Sequence, residues 1–208
     1  MRKVRIVDHP LIKDKISRLR DKTTGTEHFR QLVHQVSIML AVEATAHCQL
    51  LEVPIDTPFE RLTGYRRKHE IVLLPILRAG LGMLDGFLSL LPDAKIGYLG
   101  VYRDEVTLAP VSYYKNLPKN LNQSEIFMLD PMLATGGSAN YCLSLVKQIG
   151  GQHITLVTIV SAPEGVALIN QNHPDVTIVT ASLDRGLNGH GYIVPGLGDA
   201  GDRLNGTL

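Results

Sequence analysis

Apolar residues along the chain fall into short uninterrupted runs separated by stretches with helical spacing. Such runs have the length of parallel strands that are buried on both faces. They cover residues 71–77, 95–102, 126–129, 154–160 and 176–180. In other segments, apolar residues recur every three or four positions, as on one face of a helix. These segments cover residues 29–40, 83–91, 141–149 and the stretch that begins near Pro163. The alternation predicts an α/β fold with a mainly parallel sheet flanked by helices.

Three segments outside this alternation have weaker patterns. Residues 1–21 mix basic and apolar positions, which favours an arm or short strand that packs over another surface, such as a subunit boundary. Thr24 and Glu27 have the spacing of a capping box and predict the start of the first long helix. Residues 54–68 are polar and basic, so a surface connection without chemistry is expected there.

The segment Ile126–Ser138 joins a buried strand to a glycine-rich loop and a helix. Asp130 follows the strand directly, at the edge where open α/β sheets bind ligands. The small residues from Ala134 to Ser138 allow backbone N–H groups to approach an anion, just before a helix N-terminus with partial positive charge. The pattern predicts a phosphate-binding loop. The alternative is an ordinary α/β connection, in which a strand is followed by a turn and a capping serine.

A second strand, residues 71–77, runs into Arg78 and the glycines Gly80 and Gly82. This strand, loop and helix predict another anion site. Gly80, Gly82 and the later Asp104 also resemble a dinucleotide fingerprint, but Asp85 occupies the place of the third glycine. Its side chain and charge oppose a close approach of pyrophosphate, so a nucleotide cofactor is not expected.

Two further segments are expected to border the site. Residues 102–116 predict a β-hairpin arm that covers the active site, with a plain hairpin at the sheet edge as the alternative. Residues 183–208 contain many glycines but also closely spaced apolar residues, which a disordered tail would rarely carry. We therefore expect an ordered C-terminal hood.

The composition fits a single enzyme domain over residues 1–208. A chain of this length with 44% hydrophobic residues can bury a sizeable core. The net charge of +1 provides no broad positive field for nucleic acid or membranes. Cys48 and Cys142 are expected to be reduced core residues. With no long apolar run and no signal-peptide core, a cytoplasmic location is expected.

The sequence LDPMLATGGS, residues 129–138, resembles the phosphoribosyl pyrophosphate motif of type I phosphoribosyltransferases, in the form found in uracil phosphoribosyltransferases. Many members of the superfamily have two adjacent acidic residues at the strand end. Here Pro131 follows Asp130 and leaves one carboxylate, a departure that the uracil enzymes share. Other segments extend the likeness over nearly the whole chain.

The resemblance implies a single-domain phosphoribosyltransferase type I fold and roles for particular residues. Arg78, Arg103 and Asp199 would be catalytic. The donor, 5-phospho-α-D-ribose 1-diphosphate (PRPP), would contact Arg78, Arg103, Asp130, Pro131, Met132, Leu133, Ala134, Thr135, Gly136, Gly137, Ser138 and Asp199. Uracil would contact Tyr192, Ile193, Gly198, Asp199 and Ala200. No residue is assigned as a direct metal ligand, because magnesium would be carried by the diphosphate.

The same resemblance implies uracil and PRPP as substrates, Mg²⁺ as cofactor, a homo-oligomer of two or more subunits, and activation by a nucleotide such as GTP. Two other function classes remain open from sequence. One is a phosphoribosyltransferase for another nucleobase, such as a purine or orotate. The other is a PRPP-sensing regulator that binds RNA or DNA, for which Arg61, Arg66, Arg67 and Lys68 form a local basic patch.

Overall fold

The strands meet in one large sheet, as the apolar runs predict. The structure is a computed structural model that describes residues 4–103 and 110–207. Within these residues, nine strands form the main sheet. They are β1 (Val4–Ile6), β4 (Glu70–Leu77), β5 (Lys95–Ile96), β6 (Tyr98–Arg103), β7 (Pro110–Asn116), β8 (Ser124–Leu129), β9 (Met132–Leu133), β10 (His153–Ser161) and β11 (Thr177–Leu183). Their order is β1-β11-β10-β8-β4-β6-β7, with β5 beside β4 and β9 beside β10.

Every pairing in this sheet is parallel except that of β6 with β7. The central strand β8 is buried along its whole length between β4 and β10. Because neighbouring parallel strands end at the same edge, the loops after β4 and β8 lie side by side. The predicted fold class is confirmed, and this edge holds both predicted anion loops.

Helices cover both faces of the sheet. They are α1 (Pro10–Arg20), α2 (Thr26–Thr45), α3 (Leu81–Leu88), α4 (Gly137–Gln148), α5 (Pro163–Asn172) and α6 (Ala200–Asn205). Alternate residues of β8 supply both cores, since Phe127 and Leu129 pack with α1, α2, α3 and α6 while Ile126 and Met128 pack with α4 and α5. None of the described helices is long and apolar enough to cross a membrane.

The N-terminal segment differs in part from the expected arm. β1 pairs in parallel with β11, but the following residues form α1, an 11-residue helix. Pro10 occupies its first turn, and the His9 side chain accepts a hydrogen bond from the Leu11 N–H at 3.1 Å. The expected capping box of Thr24 and Glu27 is also wrong. Gly25 caps α2 without a side-chain hydrogen bond, while the Thr24 hydroxyl donates to the Arg18 carbonyl.

Residues 54–68, expected to be a simple connection, belong to a separate two-stranded antiparallel hairpin. Its strands are β2 (Leu50–Asp56) and β3 (Arg61–Arg67), and most of its residues are exposed. The expected hairpin arm has strands β6 and β7, which pair antiparallel at the edge of the sheet. Residues 104–109 of that arm lie outside the described residues.

Both cysteines are free thiols, as expected, but only one is fully in the core. Cys142 is buried in α4, and burial raises the pKa of its thiol to about 12. Cys48 lies beyond the end of α2 and is half-buried. Burial also raises the pKa of Cys48, to about 11, so neither thiol is a reactive thiolate at neutral pH.

Candidate active site

The phosphate loop begins at the carboxyl end of β8 and ends in the first turn of α4. Gly136 has φ +84°, a left-handed conformation that favours glycine. A Cβ on Gly137 would meet only the Thr135 hydroxyl, at 3.8 Å, so the space beside this residue is open. Residues 130 and 132–139 line a small cavity of about 100 Å³ there. The loop therefore forms a cradle of phosphate size at a helix N-terminus.

Asp130 lines this cradle. Its carboxylate accepts one hydrogen bond, from the Met132 N–H at 3.3 Å, and has no ion-pair partner among the described residues. Burial raises the pKa of Asp130 to about 7, and the Met132 N–H opposes this shift only in part. A carboxylate with few partners at a strand end is suited to accept hydrogen bonds from a ligand's hydroxyl groups.

The arginine loop follows β4, the neighbour of β8. Its Gly80 packs so closely that a Cβ would lie 2.3 Å from the Leu129 carbonyl oxygen. Arg78 is exposed, and its guanidinium has no hydrogen bond or ion pair to the described residues. The Leu77–Arg78 peptide bond is cis. The loop thus holds a free arginine fork, suited to a phosphate or carboxylate, beside the end of β8.

The C-terminal segment is ordered, as expected, and contains elements that the sequence did not indicate. β12 (Gly186–Leu187) pairs with β13 (Ile193–Val194), and α6 follows. Asp199 caps α6 by accepting a hydrogen bond from the Asp202 N–H at 2.9 Å. The Val194–Pro195 peptide bond is cis. We call residues 183–207 the hood.

One cavity of about 540 Å³ joins these parts. It is bordered by Arg78 and Ala79, by Tyr102 and Tyr113 of the edge hairpin, by Met132, and by Asp199 to Gly201 of the hood. Met132 also lines the phosphate cradle, so the two cavities are adjacent at that residue. A larger cavity of about 670 Å³ lies on the other side of Arg78, between α2, α3 and α6.

The structure brings together the candidate donor residues at Arg78, Asp130, Met132, Ala134 to Ser138 and Asp199. The side chains of Leu133 and Ile193 pack in the hydrophobic core, so contacts with a ligand would come from their backbone. Pro131 is also buried. Tyr192 and Gly198 are exposed, while Ala200 lines the cavity. The side chain of Arg103 lies outside the described part of the chain.

Sequence reasoning missed Gly165, at the start of α5, as a support of the cradle. A Cβ at this position would lie 2.4 Å from the Ala134 carbonyl oxygen. Gly136 in turn approaches the backbone of Gly165. Only the absence of a side chain allows α5 to pack this closely against the loop. The sequence gives a weak signal at best, a glycine two residues after Pro163.

A sequence model of the family described as uracil phosphoribosyltransferase matches residues 6–207. Two relatives named uracil phosphoribosyltransferase are similar along nearly the whole chain. That of Fervidobacterium nodosum is 54% identical and covers 96% of this chain and 97% of its own length. That of Finegoldia magna is 51% identical over the full length of both chains.

Solved structures agree with this match. The AQ2163 protein from Aquifex aeolicus has a TM-score of 0.91 and 39% identity, with 97% of each chain covered. The adenine phosphoribosyl transferase of Trypanosoma brucei, solved with AMP, pyrophosphate and ribose-5-phosphate, has a TM-score of 0.59 and 9% identity. That match covers 92% of this chain and 88% of the other, and it concerns the fold alone.

The parallel sheet, the phosphate cradle after β8 and the arginine loop after β4 define a type I phosphoribosyltransferase. This class is narrowed to one family by the match over residues 6–207 and by two relatives that are more than 50% identical. The chain belongs to the uracil phosphoribosyltransferase family. This result also decides against the purine and orotate alternatives that the sequence left open.

Proposed function

We propose that this chain transfers the phosphoribosyl group of PRPP to uracil, giving uridine monophosphate and pyrophosphate, and that the three loops divide the work. This division is supported by two adjacent cavities that share Met132: one is lined by the phosphate cradle, and the other is bordered by the arginine loop and the hood. A ligand that spans both cavities would place a phosphate in the cradle and a diphosphate beside Arg78. The hood then borders the position of the acceptor base.

The donor would lie along the carboxyl edge of the sheet. Backbone N–H groups of Ala134 to Ser138 would hold the 5-phosphate at the start of α4. The Asp130 carboxylate, which lines the cradle, would accept hydrogen bonds from the ribose hydroxyls. Arg78, whose fork has no partner among the described residues, would bind the diphosphate, and the family resemblance gives Arg103 the same role.

In the reaction, the bond between the anomeric carbon and the diphosphate breaks, and a bond to a ring nitrogen of uracil forms as that nitrogen loses its proton. The anomeric carbon becomes electron-poor, so the protein must stabilise the departing charge and hold the base in line. Arg78 and Arg103 would perform the first task. Confinement of the base between the hood and Met132 would perform the second.

Phosphoribosyltransferases generally use Mg²⁺ with PRPP, and the donor atoms here fit that use. Mg²⁺ prefers oxygen ligands and keeps several waters. Asp199 offers a carboxylate in the same cavity as Arg78, while no cluster of three acidic, histidine or cysteine side chains occurs among the described residues. When bound with the diphosphate, Mg²⁺ would reduce its charge, and the Asp199 carboxylate would hold waters of the hydrated ion.

The hood would select uracil mainly through backbone groups. Uracil presents an acceptor, a donor and an acceptor along its O2, N3–H and O4 edge, whereas cytosine reverses the last two. Ile193, Gly198 and Ala200 would supply the matching N–H and C=O groups. Both backbone groups of Tyr192 pair with Asn188, so Tyr192 would contact the base through its side chain. Each reversed pair leaves a buried polar group unsatisfied, at a cost of about 1 to 3 kcal/mol. Orotate would add a carboxylate that no basic residue between 192 and 200 meets.

One assay tests the proposal. Purified protein, PRPP and Mg²⁺ are incubated with uracil, cytosine, orotate or hypoxanthine, and nucleotide and pyrophosphate formation are followed. We expect kcat/KM for uracil to exceed that for cytosine by at least about 10³, as in sites with buried hydrogen-bonding groups. Comparable rates for uracil and cytosine would remove the hood from base recognition. Absence of uridine monophosphate would contradict the proposed function itself.

Three further points belong to the proposal. A homo-oligomer is supported by the exposed apolar side chains of the β2–β3 hairpin. A cytoplasmic location is supported by two free thiols, which fit a reducing compartment.

Activation by GTP follows from the family resemblance, and titration of GTP into the uracil assay tests it directly. A flat response of the rate to GTP would remove the effector from the proposal.

A further inference from the structure

Two arginines tie the hood to the end of helix α1 from opposite directions. Arg20, the last residue of α1, reaches into the hood and donates from both terminal nitrogens to the two oxygens of Asp184, at 2.6 Å each. Arg203, in α6, reaches back and donates to the carbonyl oxygens of Leu19 and Asp21. The hood and the N-terminal helix are therefore linked twice.

Both arginines also bind the backbone of one turn in the hood. Arg20 donates to the Gly196 carbonyl at 2.8 Å, while the Gly196 N–H donates to Asp184 at 2.8 Å. Arg203 donates to the next carbonyl, that of Leu197, at 2.7 Å. Two consecutive carbonyl groups thus face the guanidinium groups.

The direction of these carbonyls fixes the direction of the N–H groups that follow them. In a planar trans peptide the C=O of one residue and the N–H of the next point to opposite sides. The Leu197 N–H must therefore point away from Arg20, and the Gly198 N–H must point away from Arg203. Neither N–H donates a hydrogen bond to any described residue. Gly198 is exposed and lies just before Asp199, which borders the cavity.

We propose that Arg20 and Arg203 are positioning residues for base recognition, because they aim the Leu197 and Gly198 N–H groups at the carbonyl oxygens of the base. This inference rests on the proposed function and names the residues that give the hood its selectivity. Neither arginine touches the substrate. Each acts through a backbone carbonyl of the turn.

The fork of Arg20 is necessary for this arrangement. The Asp184 side chain is 1% exposed, and it also accepts a hydrogen bond from the Ser182 hydroxyl at 2.8 Å. The Arg20 guanidinium donates at once to both Asp184 oxygens, to the Ser182 hydroxyl and to the Gly196 carbonyl. A lysine has one ammonium group on a flexible stem and cannot make these contacts together. Arg20→Lys therefore keeps the charge while it releases the turn.

The test compares Arg20→Lys with Arg18→Lys, a matched change in the same helix. Among the described residues, the Arg18 side chain pairs only with Asp14, one turn away and exposed. For Arg20→Lys we expect KM for uracil to rise by about tenfold or more and the preference for uracil over cytosine to fall by about tenfold. KM for PRPP should stay within about threefold. Arg18→Lys should match the wild type in all these values.

Different results would exclude the proposed function and the positioning role of Arg20. If the wild type makes no uridine monophosphate, the proposed function fails. If the wild type is active but Arg20→Lys keeps both KM for uracil and the base preference, the positioning role is wrong. A purely structural role would lower stability and activity toward both bases in proportion, which also contradicts the inference.

Asp184→Asn provides a second variant in case Arg20→Lys does not fold. The amide keeps one acceptor for Arg20 but cannot serve both Arg20 nitrogens and the Gly196 N–H as the carboxylate does. The same selective loss of uracil preference is expected, with a circular dichroism spectrum like that of the wild type. An unchanged preference in the folded Asp184→Asn protein would also overturn the inference.

Discussion

Asp130 combines a proposed role in donor binding with a cost to stability. Burial raises its pKa to about 7 from an ordinary value of 3.8, so the folded protein keeps a proton that the unfolded chain has lost. Between about pH 4 and 7 the folded state binds more protons, and stability must fall as pH rises through this window. The ionised carboxylate at pH 8 is therefore destabilising until a ligand supplies hydrogen bonds.

We predict that Asp130→Asn stabilises the ligand-free protein above pH 7 while it reduces transfer activity. Each pKa unit corresponds to about 1.4 kcal/mol, and a discount for partial exposure gives about 2 to 4 kcal/mol at pH 8. The gain should decrease steadily below pH 7 and vanish near pH 4. Urea unfolding of both proteins at pH 4, 6 and 8 measures it. A gain that is independent of pH would show that ionisation is not the cause.

Arg78 offers the opposite case, a side chain with no structural contact to lose. We predict that Arg78→Lys leaves the melting temperature unchanged, because the guanidinium has no hydrogen bond to the described residues. Transition-state stabilisation should weaken by about 2 to 4 kcal/mol, since lysine keeps the charge but loses the fork. Steady-state kinetics with PRPP measures this as a fall in kcat/KM. Arg18→Lys is the control for a conservative change elsewhere, and a kcat/KM within about threefold of the wild type would exclude Arg78 as a pyrophosphate clamp.

Among the secondary-structure elements, strands that are buried on both faces are predicted from the sequence, whereas elements with mostly exposed residues are not. The strand over residues 126–129 was clear because burial on both faces requires a continuous apolar run. The hairpin β2–β3 was missed because nearly all of its residues are exposed, so burial imposes no continuous apolar run on its strands. Helix α1 was missed although Ile12, Ile16 and Leu19 have helical spacing, since basic residues separate them. Helix α6 has only six residues.

In the candidate site, the position of the two anion loops was predictable, but the contacts that support them were not. Loops that follow central parallel strands must meet at one edge, so the neighbourhood of Arg78 and Asp130 follows from the strand assignment. The supports of these loops depend on approach distances that no local pattern contains. The contact of Gly165 with Ala134 and the link between Arg20 and Asp184 are of this kind. The latter joins residues 164 positions apart.

The phosphate cradle yields a paired prediction about its glycines. Gly137→Val should abolish donor binding without unfolding the protein, because its side chain would enter open space beside Thr135. Gly165→Ala should instead destabilise the fold, since its Cβ would lie 2.4 Å from the Ala134 carbonyl. Circular dichroism, thermal unfolding and PRPP titration separate the two effects. Unaltered PRPP affinity in Gly137→Val would contradict the cradle assignment.

For the whole molecule, the β2–β3 hairpin is the feature that a single chain leaves unexplained. Six of its large apolar side chains are at least one-third exposed: Leu50, Leu51, Ile55, Phe59, Leu62 and Tyr65. An isolated two-stranded hairpin is marginally stable in water, and contiguous exposed apolar surface typically marks an interaction site. Contacts at its base include the ion pair of Arg67 with Asp93 and the bond from the Lys68 N–H to the Gln49 carbonyl. The free end of the hairpin is thus the strongest support for association between copies of this chain.

We predict that Phe59→Glu weakens this association. Phe59 is 96% exposed near the turn of the hairpin, so burial against a second copy would remove most of its apolar surface from water. A glutamate there would have to bury a charge and should shift the protein toward monomers by at least about tenfold in dissociation constant. Light scattering during size-exclusion chromatography, over a range of concentrations, measures the shift. Ile149→Glu is the matched control, because Ile149 is 45% exposed at the end of α4, away from the hairpin. A wild type that is monomeric at all concentrations would remove the homo-oligomer from the proposal. An oligomer that Phe59→Glu leaves intact would place the contact on another surface.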